Sequence, residues 1–143
     1  MKKTVVTILV VCMLALTTTK AYAVSSTSFT DENIISPNYT YILLLSSGLD
    51  INSAGKAHCS GSVDASSNSY TAKLTVALQK YSNDSWQTIK SWSDSGSGQS
   101  NLIIEKYYYV ANGTYRVCTT AKIYNSSGTL LENKSVYSDE EIY

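Results

Sequence analysis

The feature that most constrains the fold is a series of short apolar runs separated by turn-forming residues, which begins at Tyr39 and continues almost to the end of the chain. In the stretch 70–81 (YTAKLTVALQKY), apolar and polar residues alternate, as they do in a strand with one buried face. No segment of this region repeats apolar residues with the 3.6-residue period of an amphipathic helix. The pattern therefore predicts an all-β domain.

Residues that favour tight turns mark where the strands end. They occur at 82–85, 111–113 and 125–128, while the Ser- and Gly-rich segment 94–100 (DSGSGQS) is predicted to be a longer, looser connection. About seven short strands in one small domain predict a sandwich of two sheets. The predicted strands cover residues 39–46, 48–65 in one or two pieces, 70–81, 86–93, 101–111, 113–124 and 128–136.

The N-terminus has the three regions of a secretory signal peptide. Two lysines precede an apolar run that is too short to span a bilayer, and Ala21-Tyr22-Ala23 is a cleavage signal of small residues. We expect cleavage between Ala23 and Val24, a bacterial host, and a secreted, extracellular product that keeps no membrane attachment. The predicted organisation is a signal peptide at 1–23, a flexible leader at 24–36, a β-sandwich domain at 37–137 and an acidic tail at 138–143.

The charge of the chain argues against nucleic acid as a partner. The sequence contains 11 basic and 11 acidic side chains, and Lys2, Lys3 and Lys20 would leave with the signal peptide. The mature chain is then slightly acidic, without the basic stripe that binding to nucleic acid or to an anionic membrane requires.

The cysteines give two signals that conflict. Cys12 lies in the predicted signal peptide, which leaves Cys59 and Cys118, and an even number in an exported chain predicts one disulfide worth about 4 kcal/mol. Cys59, however, is on the apolar side of its strand with Val63, whereas Cys118 is on the opposite side from Val117. A buried bridge would need a bulge in one of these strands.

The sequence offers few residues for catalysis or for metal binding. The only histidine, His58, is next to Cys59, and neighbouring side chains on a strand leave opposite faces. One histidine and a bridged cysteine pair are too few ligands for zinc, and no Gly-rich phosphate loop is present. We predict no catalytic residue, no metal and no cofactor. A small secreted hydrolase is the less favoured alternative, since it would need two carboxylates at a defined separation in one cleft.

The stretch 85–92 (SWQTIKSW) contains both tryptophans. In a regular strand Trp86, Lys90 and Trp92 share one face, and the mixture of polar and apolar residues on both faces is typical of an edge strand. In one alternative a single indole packs into the core, and Trp86 is the expected one. In the other, the two indoles form an exposed surface that contacts a sugar ring or a protein. Tyr107 and Tyr109, predicted to be partly exposed, would extend that surface. The candidate ligand contacts are therefore Trp86, Lys90, Trp92, Tyr107 and Tyr109.

Four segments of the chain, 53–63, 78–92, 113–124 and 126–138, carry a resemblance to known proteins. They resemble small secreted bacterial β-sandwich proteins of unknown function. The chain is also similar to the immunoglobulin-like superfold, which has a cysteine in an early strand, a tryptophan in the middle, and a tyrosine shortly before a second cysteine. Here Tyr115 precedes Cys118 by three residues. The similarity implies a single immunoglobulin-like or fibronectin-III-like antiparallel β-sandwich, and it supplies no catalytic residues.

These observations predict a secreted, non-enzymatic binding or interaction module. Its partner would be a protein or a glycan, and the second possibility is a carbohydrate- or cell-wall-binding module that uses exposed aromatic residues. The sequence does not indicate an oligomeric state.

Overall fold

The computed structural model describes residues 38–143, so the predicted signal peptide and leader lie outside the described residues. Within 38–143 the chain forms eight β-strands, which confirms the predicted all-β class. The strands are β1 Ile42–Ile51, β2 Lys56–Ala65, β3 Thr71–Ser82, β4 Ser85–Ser97, β5 Leu102–Tyr109, β6 Thr114–Tyr124, β7 Leu130–Tyr137 and β8 Glu141–Ile142.

The strands form two antiparallel sheets that pack face to face. One sheet has the order β1-β2-β5, and the five-stranded sheet has the order β4-β3-β6-β7, with the short β8 also paired to β6. In the constant-type immunoglobulin arrangement the fourth strand extends the sheet of the first, second and fifth strands. Here β4 pairs with β3 instead, which is the fibronectin-III-like variant of the predicted sandwich.

The core lies between the sheets and follows the alternation of the sequence. Every second residue of β2, of β6 and of β3 as far as Leu78 is buried, because successive side chains of a strand point to opposite faces. The sheets approach closely at Gly61, where an added methyl group would lie 2.6 Å from both the Thr119 hydroxyl and a Val76 methyl. The largest fully buried side chains are Tyr115, Leu74, Leu78, Ile123, Val63, Val76, Val117, Thr119 and Cys59.

The predicted disulfide between Cys59 and Cys118 is not present, and both cysteines are free. The reason lies in the position of Cys118 relative to Tyr115. The Tyr115 hydroxyl donates a hydrogen bond to the Ala111 carbonyl at 2.5 Å, which is the contact of a tyrosine corner. The position two residues after that tyrosine, where an immunoglobulin domain has its second cysteine, is occupied by inward-facing Val117. Cys118 therefore faces outward, while Cys59 is buried in the core.

Two segments are more regular than the sequence predicts. Strand β4 continues to Ser97, so the predicted loose connection at 94–100 is reduced to the four residues 98–101, and Gly98 is held by backbone hydrogen bonds to Ala65 and Tyr70. The C-terminal residues are not a free acidic tail, because β8 pairs with the start of β6 and Tyr143 exchanges two backbone hydrogen bonds with Gly113. Both corrections arise from backbone pairing between distant segments.

Candidate ligand-binding surface

A bulge in β4 separates the two tryptophans. Leu78 of β3 pairs with Lys90, but the next residue, Gln79, pairs with Thr88, so that Ile89 has no partner in the register. One extra residue in a strand moves all the following side chains to the other face. The expected common face of Trp86, Lys90 and Trp92 is therefore wrong.

The indole that packs against the core is Trp92. It pairs with buried Val76 and is half-buried against the core residues. Lys90 is on the same inner side, opposite Leu78, but at the exposed edge of the sheet. Trp86 pairs with Tyr81 on the outer face, so the expectation that Trp86 would be the core anchor is wrong.

Tyr107 and Tyr109 lie on the other sheet, on its outer face. They are 59% and 70% exposed, which confirms their predicted exposure. The Tyr107 ring stacks on His58 at 4.8 Å, and the ammonium of Lys56 lies 4.1 Å from its centroid. The five candidate contacts are consequently distributed over three places and do not form one surface.

A cluster that the sequence analysis missed is centred on Arg116, on the outer face of the five-stranded sheet. Its guanidinium carbon lies 4.2 Å from the centroid of the Trp86 ring and 4.1 Å from that of Tyr137. Its Nε donates a 2.9 Å hydrogen bond to Oε1 of Gln79. Tyr81 packs against Trp86 with a centroid separation of 5.2 Å. We refer to Tyr81, Trp86, Arg116 and Tyr137 as the Arg116 cluster.

The Arg116 cluster combines exposed ring surface with a cation in a fixed position. Tyr81 and Tyr137 are 45% and 55% exposed, whereas Trp86 and Arg116 are half-buried. Stacking on aromatic rings holds a planar guanidinium in place, so less side-chain entropy is lost when a ligand binds. Strand parity placed Arg116 on the outward side, but only the neighbouring strands show which rings surround it.

Small hydroxyl side chains cover the middle of the same face. Four of them stand opposite one another across four neighbouring strands, with hydrogen bonds of 2.8 Å between Thr75 and Ser93 and of 2.7 Å between Thr120 and Ser135. We call this set the hydroxyl row. Beyond it, Lys73 and Lys122 are direct cross-strand neighbours, the lysine pair.

A separate cleft of about 240 Å³ lies between the edge strands β4 and β5. Trp92, Ile103 and Ile104 provide its apolar lining, and the charged side chains of Asp94, Glu105 and Lys106 also line it. Asp94 belongs to β4 and does not lie beside a turn, so carboxylates from two different strands line this cleft.

The described region has neither a cluster of metal-binding side chains nor a helix that could cross a membrane. Residues 38–143 contain no group of three or more His, Cys, Asp or Glu side chains placed to share a metal ion. No helix with the length and apolar character for crossing a membrane occurs in that part of the chain.

No protein-family model matches this sequence, and a comparison with curated proteins gives no significant match.

Proposed function

We propose that the protein is a secreted, non-enzymatic binding module that recognises glycans through the outer face of its five-stranded sheet. The observation that carries this proposal is the position of the Arg116 guanidinium between the rings of Trp86 and Tyr137. It places a cation and several ring surfaces at one end of a face whose centre is covered by hydroxyl groups.

The chemistry of this face suits a sugar polymer. Aromatic rings provide an apolar surface for the C–H side of a sugar ring, while guanidinium and hydroxyl groups exchange hydrogen bonds with sugar hydroxyls. A small molecule is normally enclosed in a concave pocket. A broad sheet face favours an extended chain that lies flat on it.

A protein partner is the alternative for the Arg116 cluster, because Trp, Tyr and Arg are also the residues of binding hot spots. The centre of the face distinguishes the two partners. Serine is depleted at protein interfaces, and serine and threonine are under-represented at hot spots. The hydroxyl row therefore favours a glycan.

A fluorescence titration against a broad glycan panel tests this function. In the Trp92→Phe variant Trp86 is the only tryptophan of the domain, and we expect its emission to change when a binding glycan is added. Trp86→Ala should weaken binding by about tenfold, as expected when an interface anchor is truncated. Unchanged affinity of Trp86→Ala, or no response to any glycan of the panel, would contradict the proposal.

The β4–β5 cleft supports a second candidate function, a small glycoside hydrolase. Its specific support is that Asp94 and Glu105 line one cleft, and a pair of carboxylates is what glycoside hydrolysis requires. The test is the release of reducing ends from polysaccharides by the wild type, Asp94→Asn and Glu105→Gln. If the wild type releases reducing ends and each substitution abolishes the release, this function is established. If none of the three proteins releases reducing ends, it is rejected.

A further inference from the structure

We infer that the glycan is an anionic polysaccharide whose acidic groups contact the lysine pair and Arg116. This inference rests on the proposed function and specifies the class of ligand for the same face. It is carried by the distribution of charge over the two sheets.

The outward positions of β3, β4, β6 and β7 carry three cations, Lys73, Arg116 and Lys122, and no carboxylate. The acidic residues of the described chain occupy other places. Two face the inner side of the five-stranded sheet, Asp94 opposite Leu74 and Glu132 opposite Ile123. The others lie on the three-stranded sheet, in the β3–β4 turn or at the C-terminus: Asp50, Asp64, Asp84, Glu105, Asp139, Glu140 and Glu141.

The lysine pair is an arrangement that the sheet by itself disfavours. Lys73 and Lys122 stand directly opposite each other on β3 and β6, and like charges in this position destabilise a sheet. No carboxylate occupies the flanking positions of this row, which are Ser95 on β4 and Asn133 on β7. An anionic group of a ligand would remove this repulsion, so the pair is suited to hold one.

The second cationic position is at a distance that a polymer can span. Arg116 and Lys122 both lie on β6, six residues apart, which corresponds to roughly 20 Å along a strand. Gln79 accepts the hydrogen bond from Nε of Arg116. The two terminal nitrogens of the guanidinium would donate a bidentate pair of hydrogen bonds to a ligand carboxylate. The hydroxyl row lies between these positions, where it can bond the sugar hydroxyls.

The distribution of aromatic rings favours a polysaccharide over single-stranded nucleic acid. Proteins that bind single strands stack successive bases on aromatic side chains along the groove. The rings of the Arg116 cluster lie at one end of this face, and Tyr124 lies near the other end, beyond the lysine pair. The rows between them carry small side chains and lysines and no further ring. Nucleic acid is therefore an outcome that the test must distinguish.

The test is native affinity electrophoresis of the purified protein in gels containing polygalacturonate or its fully methyl-esterified form. The two polymers share one sugar backbone, and only the first is charged. We expect retardation by polygalacturonate that decreases as salt is added, and at least a roughly tenfold lower affinity for the ester.

Matched variants locate the contact. Lys73→Gln with Lys122→Gln should lower the affinity for polygalacturonate by roughly tenfold. Lys90→Gln with Lys134→Gln removes the same charge from exposed positions on the inner side of the sheet and should change it less than about twofold. Thermal unfolding checks the fold, and the first pair should unfold at an equal or higher temperature because the cross-strand repulsion is removed.

The outcomes separate this inference from the proposed function. Equal affinity for the charged polymer and its ester, or equal losses in the two double variants, would overturn the anionic ligand while glycan binding stands. Failure of both polymers and of the wider glycan panel would overturn both. Retardation by single-stranded DNA that depends on Lys73 and Lys122 and matches that by polygalacturonate would overturn the assignment to a polysaccharide.

Discussion

The outer faces of the two sheets both pair a cation with aromatic rings, yet they differ in what surrounds that pair. On the five-stranded sheet Arg116 lies between Trp86 and Tyr137, and the only other described charged side chains of the face are two lysines. On the three-stranded sheet the face that carries the contact of Lys56 with Tyr107 also carries residues of mixed chemistry, Asp50, Asp64, Glu105, Leu44 and Ile103. Mixed charges cancel the local field, whereas charges of one sign attract an opposite partner. The comparison indicates that the charges near a stacked cation decide whether its face attracts an anionic partner.

The largest expected effect concerns the two thiols, one on the outer face of the five-stranded sheet and one in the core. At pH 8 a thiol reagent should label Cys118 at least about a thousandfold faster than Cys59, which reacts only when the domain opens. Peptide mapping by mass spectrometry gives the two rates. A mapped Cys59–Cys118 bridge, or equal rates, would contradict the structure.

Burial adds a pH dependence, since it raises the pKa of the Cys59 thiol from 9.0 to about 11. The folded state favours the neutral thiol, so the stability that this group contributes is present below pH 9 and is lost as the pH rises towards 11. Thermal unfolding of the wild type and of Cys59→Ala over this range should show a steeper loss for the wild type. Parallel curves would contradict the prediction.

The next largest effect is expected in the packing between the inner faces of the two sheets. Gly61→Val should lower the free energy of unfolding by about 3 kcal/mol, because its side chain would overlap Thr119 and Val76. The matched control is Ser60→Ala on the outward side of the same strand, which should stay within about 0.5 kcal/mol of the wild type. Urea unfolding measures both variants, and equal stabilities would show that the sheets do not meet at Gly61.

A somewhat smaller effect is expected where β1 meets the five-stranded sheet. The carboxylate of Glu132 accepts backbone hydrogen bonds from Thr40, Tyr41 and Ile42 at 3.3, 2.8 and 3.1 Å. Glu132→Ala leaves these amides without their acceptor and should cost about 2 kcal/mol. Glu132→Gln keeps one acceptor oxygen and should retain part of this stability. If urea unfolding gives equal losses for the two variants, these hydrogen bonds do not stabilise the fold.

The smallest expected change is in the free energy of glycan binding, for variants on the outer faces of the two sheets. Trp86→Ala should reduce the affinity for a glycan about tenfold, which is about 1.4 kcal/mol, while Tyr107→Ala on the other sheet should change it less than twofold. Isothermal titration with a glycan identified in the panel measures both. The reverse order of the two losses would move the binding surface to the three-stranded sheet.

Much of the fold could be predicted from local sequence. The alternation in β3 predicted one buried face, and strand parity in β6 placed Cys118 on the side opposite Val117 although the cysteine count predicted a bridge. Strand parity gave the correct side for Cys118 because the direction of a side chain depends only on its own strand. A disulfide also requires that two distant strands bring their thiols close to each other. The bulge at Ile89 could not be predicted, since it exists only in the register between β3 and β4.

The sequence by itself determined the all-β class, most strand positions and the side of each strand on which a residue lies, because the two-residue period of a strand is a local property. Only the tertiary structure decided which strands are neighbours. That choice brought Trp86 of β4 and Tyr137 of β7 to the two sides of Arg116 on β6, moved Trp92 to the core, and kept the carboxylates off the face with the lysine pair. The physical reason is that strand order and register depend on hydrogen bonds and packing between segments far apart in the chain.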